Sequence, residues 1–294
     1  MNEKMDLPVV GVLGFGTMGA GIAQVFAASG RDVVVLDTSA ARLEAGRASV
    51  AAFLDGGVSR GKITDDDKAA ILARITVTTA AAELAGVDAV VEAISENADA
   101  KTALLTEVAS VVGASVPLLT NTSALSVTDL AAALPNPARV AGLHFFNPAP
   151  VQSTVEVVRA LQTDEAVVDR LVAVVDSLDG KTPIVVKDRP GFLVNSLLLP
   201  YLNDVVAEYD DGLATAEDID VALELGLGYK TGPLKLLDMI GLDVHLHATT
   251  AVFDSTGDPR YAPPPLLRQM VAAGMLGDKN GRGFRTTQSF EENN

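Results

Sequence analysis

Short apolar runs alternate with alanine-rich stretches through the first two thirds of the chain. The runs VVGVL (Val9 to Leu13), VVVLD (Val33 to Asp37), VDAVVEAI (Val87 to Ile94) and PLLTNT (Pro117 to Thr122) are continuous rather than alternating in apolar character. A strand covered on both faces reads this way, so they predict buried parallel strands. Between them, Thr17 to Ala28 reads as a helix that ends near Gly30, where glycine accepts a left-handed backbone. Further strands are expected at Val140 to Phe146, Val155 to Arg159 and Pro183 to Val186. Strand–helix–strand order of this kind predicts an α/β fold with a doubly wound, Rossmann-type sheet.

After Lys187 the texture changes. Asp188, Arg189, Pro190 and Gly191 form a turn-like break, and no strand run follows. We place the boundary there, with residues 1–188 as the dinucleotide-binding domain and 189–294 as an all-helical C-terminal domain. Thr215 and Asp218 have capping-box spacing before EDIDVALELG, where Ile219, Ala222, Leu223 and Leu225 are expected to line one buried face. Pro200 inside LLLPYLNDVV is expected to kink or divide its helix.

Composition narrows the function classes. With 294 residues and 48% hydrophobic content the chain fills a substantial core. It has no cysteine, which removes disulfides, thiolate metal sites and thiol nucleophiles and suits a cytoplasmic location. The start MNEKMDLPVV lacks signal-peptide features, and no apolar run approaches the roughly 20 residues that span a bilayer, so no membrane partner is expected. A net charge of −16 without tryptophan argues against nucleic acid. Small anionic ligands stay possible, because exposed charges are screened beyond roughly 8 Å.

Gly14, Gly16 and Gly19 form G-x-G-x-x-G between the first predicted strand and the first predicted helix, with Thr17 and Met18 inside the turn. In that setting the first glycine permits the tight turn, the second lets backbone approach a pyrophosphate, and the third lets helix and strand pack closely. Asp37 closes the second predicted strand at the distance where a carboxylate receives the adenosine ribose. That carboxylate should repel a 2′-phosphate, so NAD is the expected cofactor. Arg42, one turn further on, weakens this inference slightly by its reach toward a phosphate, but an arginine there is more often a solvated helix residue.

A nucleotide fold names a cofactor and not a reaction. Of the three histidines, His245 and His247 lie two apart in a predicted helix, do not share a face, and read as structural. His144 ends the run VAGLHFF before Asn147 and Pro148, and Glu156 falls in the next predicted strand. A histidine with an unperturbed pKa of about 6.5 can take the proton of a secondary alcohol, and a neighbouring carboxylate would steady the imidazolium. A core histidine and a surface glutamate remain the alternatives.

The chain resembles the 3-hydroxyacyl-CoA dehydrogenase family, and within it the short-chain 3-hydroxybutyryl-CoA enzymes. The likeness is carried by GFGTMGAGIA, VVEAISEN, NTSALSV, GLHFFNPAP, GFLVN and EDIDVALELGLGYKTGPLKLLDMIGLD, and by the segment Gly281 to Phe284. The resemblance implies that His144 is the catalytic base, Glu156 its acidic partner, Ser123 the serine at the reacting oxygen and Asn195 the asparagine at the substrate carbonyl. It implies Asn147, Glu96 and Lys101 at the cofactor edge. Arg60, Lys62 and Lys101 are its expected counter-charges for acyl-CoA phosphates, and a homodimer through the helical domain is expected. No metal is called for. The sequence departs from the family at Ala124, Ser196, Lys230, Asn280 and Arg285. A related free-hydroxyacid (sugar-acid) dehydrogenase, or a non-catalytic crystallin-like nucleotide binder, are the other readings.

Overall fold

Valine-rich runs become strand wherever both faces can be covered. In the computed structural model, which describes residues 7–285, eight strands form one sheet: β1 (Val9–Leu13), β2 (Asp32–Leu36), β3 (Ile75–Thr78), β4 (Ala89–Glu92), β5 (Leu118–Thr120), β6 (Val140–Phe145), β7 (Thr154–Arg159) and β8 (Thr182–Lys187). Their order across the sheet is β3-β2-β1-β4-β5-β6-β7-β8. Every pairing is parallel except β6 with β7, which is antiparallel. The order reverses between β1 and β4, and a crevice at the C-terminal ends of those two strands is the usual ligand position of such sheets.

Helix α1 (Thr17–Ala28) begins at Gly16 and ends at Ser29, before Gly30 takes a left-handed φ of 87°. It presses Ile22, Ala23 and Phe26 onto the sheet, where Phe26 meets Phe145 edge-on at 6.2 Å. Full burial of a side chain the size of Ile22 or Phe26 contributes roughly 1.5–3 kcal/mol. Helices α2 (Ala40–Ser59) and α3 (Asp65–Ala73) form a hairpin, capped at Ser39 and at Thr64. Helices α4 (Ala98–Ala109), α5 (Val127–Ala132) and α6 (Glu165–Asp176) complete the first unit, which ends at Arg189.

Strand β3 is missing from the sequence reading. It is a four-residue edge strand in which Thr76 and Val77 are exposed and Ile75 alone is fully covered, so the continuous apolar signal of a buried strand is absent.

The second unit, from Pro190 onward, is helical among the described residues: α7 (Val194–Asp210), α8 (Ala216–Leu227), α9 (Pro233–Ile240), α10 (Leu242–Thr256) and α11 (Pro265–Ala272). Its core gathers Leu202, Val206, Leu234, Leu237, Leu242 and Leu267. Of the two outcomes expected at Pro200, division does not occur, because α7 runs through it. The expected face of α8 is corrected. On α8 the buried residue is Asp220, while Ala222 is exposed and Leu225 is 84% exposed. The reason is polar: the Asp220 carboxylate accepts from the amides of Leu234 (2.8 Å) and Lys235 (3.1 Å) at the start of α9 and pairs with Arg285 (3.0 Å). These bonds turn that side of α8 inward. Thr215 caps α8 by accepting from the Asp218 amide at 3.1 Å.

His245 is buried on α10, and its Nε2 lies 3.0 Å from Asn203 Oδ1. The Asn203 amide nitrogen donates to Thr249 at 2.8 Å, so its oxygen faces the ring and Nε2 is the donor. Burial pushes this imidazole down to about 4. His247 is exposed.

Candidate active site

The glycine turn follows β1 directly. The Gly14 amide donates to Leu36 O at 2.7 Å, tying the turn to the end of β2, and Gly14 has a φ of 92° that L side chains resist. A Cβ on Gly19 would lie 1.9 Å from Gly14 O, so any side chain there would drive α1 off the strand. A Cβ on Gly16 would meet nothing within 4 Å. That open space beside the first turn of a twelve-residue helix is what a pyrophosphate requires, so the residues present fit a dinucleotide. Thr17 is exposed and Met18 half-buried in the same turn. Asp37 is buried, and its Oδ2 accepts from the Phe15 amide at 2.7 Å.

The antiparallel pairing of β6 and β7 sets His144 directly opposite Glu156. Residues opposite one another across two strands share a face, and here the Nδ1 of His144 lies 2.7 Å from Oε2 of Glu156. Both are buried, the carboxylate completely at 0% exposure. Phe146 packs edge-on against the imidazole at 4.6 Å between ring centres. The end of β6 is anchored by Asn121, whose Oδ1 accepts from the Phe145 amide at 2.8 Å. Asn147, next along, shares with Thr17 the wall of a cleft of about 90 Å³.

A second buried network lies at the end of β4. Glu92, 0% exposed, accepts from Lys101 (2.6 Å), the Ile94 amide (2.7 Å) and Thr120 (2.7 Å). The Lys101 ammonium also pairs with Glu96 Oε2 at 3.2 Å. Glu96 in turn accepts from the Thr122 hydroxyl and from the amides of Ser123 (3.1 Å) and Ala124 (3.2 Å). Burial raises the Glu96 carboxyl, but the Lys101 charge, the Thr122 hydroxyl and the backbone amides outweigh it and hold the group below the usual carboxylate range. Lys101 as a counter-charge for acyl-CoA phosphates is therefore corrected: it is 1% exposed, and its charge is met by two carboxylates of its own chain.

Ser123 is exposed, its backbone held by Glu96. Asn195 lies in the first turn of α7 in the second unit. Arg60 and Lys62 are exposed at the turn between α2 and α3. The structure thus brings together His144 with Glu156, Ser123 with Glu96, Glu96 with Lys101, and Thr17 with Asn147. Asn121, Thr120 and Thr122, which tie these groups to the strand ends, went unread because a short polar residue after a strand carries no distinctive spacing. Glu92 did leave a sign, as a lone charge in the apolar run VVEAI. A larger hollow of about 710 Å³ in the second unit, bordered by Tyr209, Leu213 and Thr215, holds none of the candidate residues.

Two family models match end to end: the NAD binding domain of 3-hydroxyacyl-CoA dehydrogenase over residues 9–189, and its C-terminal domain over 191–287. A 3-hydroxybutyryl-CoA dehydrogenase of Mycobacterium tuberculosis is 42% identical over 278 residues, covering 94% of this chain and 97% of that protein. Among solved structures, FadB2 of M. tuberculosis superposes with a TM-score of 0.92 at 41% identity, over 96% of this chain and 99% of that one. The (S)-3-hydroxybutyryl-CoA dehydrogenase PaaH1 of Ralstonia eutropha gives 0.90 at 44% identity, over 95% and 98%.

Proposed function

The chain belongs to the 3-hydroxyacyl-CoA dehydrogenase family, and from that premise we propose that it interconverts an L-3-hydroxyacyl-CoA and the 3-oxoacyl-CoA with NAD, 3-hydroxybutyryl-CoA being the substrate. The observation that carries this reading is the buried contact of 2.7 Å between His144 Nδ1 and Glu156 Oε2 beside a glycine turn fit for a dinucleotide. NAD, when bound, supplies the acceptor for the hydride of C3.

The chain's own residues handle the proton and the orientation. A general base must begin neutral; with Nδ1 engaged by Glu156, the Nε2 of His144 takes the hydroxyl proton. Glu156 then faces an imidazolium and stabilises it by a charge-assisted hydrogen bond. Ser123 steadies the reacting oxygen, supported by the carboxylate of Glu96 that fixes its backbone. Asn195 serves the thioester carbonyl. Gly14, Gly16, Thr17, Met18, Gly19 and Asp37 hold the dinucleotide, with Glu96 and Asn147 at its edge and the enclosed Lys101 acting there only by fixing Glu96 through their ion pair. Arg60 and Lys62 meet the acyl-CoA phosphates, which their exposure supports.

The test is a panel of 3-hydroxyacyl-CoA substrates of increasing chain length, alongside free 3-hydroxybutyrate, with NADH formation followed. Turnover of 3-hydroxybutyryl-CoA with little from the free acid is expected; equal rates on both would remove the acyl-CoA reading. We also propose a homodimer through the helical unit. Leu213 and Leu225 are 71% and 84% exposed there, and no helix among the described residues is long and apolar enough to cross a membrane. Sedimentation of the native protein and of Leu225→Asp should give a dimer and a monomer; a monomeric native protein ends that proposal.

A further inference from the structure

A buried ammonium in the first unit plays no part in the hydride chemistry. Lys181 stands in the turn between α6 and β8 and is 8% exposed. Its Nζ donates to the carbonyls of Ala149 (2.7 Å) and Gln152 (2.6 Å), and among the described residues no carboxylate pairs with it. Taking a charge out of water is unfavourable unless it gains strong partners, and burial lowers the pKa of this amine. An apolar side chain would fill the same space without that penalty. What the charge contributes is its hold on two carbonyls.

Both carbonyls belong to the segment 146–153 that joins β6 to β7. The amides of Val151 and Gln152 both donate to Pro148 O (2.9 and 3.1 Å), so the segment is one tight turn. That turn lies on α1, where a Cβ at Gly21 would come within 3.2 Å of both Ala149 Cβ and Pro150 Cδ. Ahead of it stands Asn147, which walls the cleft of about 90 Å³ together with Thr17 at the start of α1. Resting on the dinucleotide reading above, we propose that Lys181 is a positioning residue for the cofactor: by holding the carbonyls of Ala149 and Gln152 it clamps the β6–β7 connection onto α1 and sets Asn147 at the dinucleotide's edge. The contact of His144 with Glu156 does not depend on this clamp, because the ladder of β6 against β7 sets it.

NADH binding tests this without any acyl-CoA. The full-length protein, K181M, K181R, N147A and the double variant K181M/N147A are titrated by nucleotide fluorescence, each well below its melting temperature. K181M should weaken NADH about tenfold, the scale of losing hydrogen bonds from a charged donor. K181R keeps the charge and several donors and should bind NADH more tightly than K181M. N147A should weaken NADH by itself. The double variant should bind within about twofold of the weaker single variant, because the two residues act in series and their effects do not add. Hydrogen exchange at the Val151 and Gln152 amides should quicken about tenfold or more in K181M. Should K181M not fold, K181Q, which keeps a donor without the charge, takes its place in the same comparison. A purely structural lysine predicts a lower melting temperature with NADH binding unchanged. That result overturns the proposal, as do losses that simply multiply in the double variant, an N147A that binds like the native protein, or unchanged exchange at the two amides. A native protein that binds no NADH removes the dinucleotide reading, and the proposal falls with it.

Discussion

Replacing Glu156 by glutamine isolates the contribution of one buried charge. The carboxylate is fully enclosed and 2.7 Å from the imidazole. Glutamine has nearly the same shape and keeps an oxygen for Nδ1, so the resting arrangement should persist. What changes is the state after His144 has taken the alcohol proton: a cation then faces a neutral amide instead of an anion. Hydrogen bonds to charged groups contribute about 1.5–3 kcal/mol and neutral ones about 1. The difference, with the added Coulomb attraction of a buried pair, predicts a loss in kcat of about tenfold to a hundredfold. KM for both substrates should stay within about twofold, because the ring is charged only once the proton has moved. Glu156→Asp, charged but shorter by one methylene, should fall between. Initial rates of NADH formation with 3-hydroxybutyryl-CoA, together with the melting temperature of each variant, give the answer. A kcat within twofold of the native value, or a loss confined to KM with kcat intact, refutes the pairing argument.

Other parts of the structure make equally definite predictions. Gly16→Ala should melt like the native protein yet weaken NADH binding, whereas Gly19→Ala should lose roughly 1–3 kcal/mol of stability, because its methyl meets Gly14 O at 1.9 Å while that of Gly16 meets nothing. Thermal melts and NADH titrations of the two variants should separate them in this order. Lys101→Met should cost roughly 3–5 kcal/mol by leaving Glu92 buried without its cation, and the double variant with Glu92→Gln should recover most of it in urea unfolding. His245 has a folded value of about 4, depressed by burial, below its unfolded value of about 6.5. The unfolded chain therefore binds the extra proton first as pH falls, and stability should decline from about pH 6.5 toward pH 4, by about 2 kcal/mol at pH 5. His245→Gln should lack that part of the slope between pH 7 and pH 5; an unchanged slope removes the assignment.

Much of the nucleotide half could be read in the chain because its signals are local. The runs at Val9 and Val33 are continuous, and the glycine turn and Asp37 sit at fixed distances from them. Strand β3 escaped because an edge strand buries one residue in four and has no such run. The face of α8 was misread for the opposite reason. Its periodicity predicted an apolar side facing inward, but the amides at the start of α9 need an acceptor and Asp220 supplies it, leaving Leu225 outside. His144 and Glu156 could be nominated from their strands, yet their meeting depends on strand register, which no spacing in the chain states. Likewise Lys101 looked like a free cation because the sequence cannot show that two carboxylates enclose it.

The reversal of direction between β6 and β7 also bears on how this protein tolerates change. Since the imidazole and the carboxylate are matched by backbone laddering, it is the register of β6 against β7, and not the length of the segment that joins them, that sets their contact. A shift of the ladder by a single step would turn Glu156 to the far side of the sheet. The connection is held as well, because the carbonyls of Ala149 and Gln152 accept from the buried Lys181 at 2.7 and 2.6 Å, so neither the strands nor the segment between them leaves much latitude.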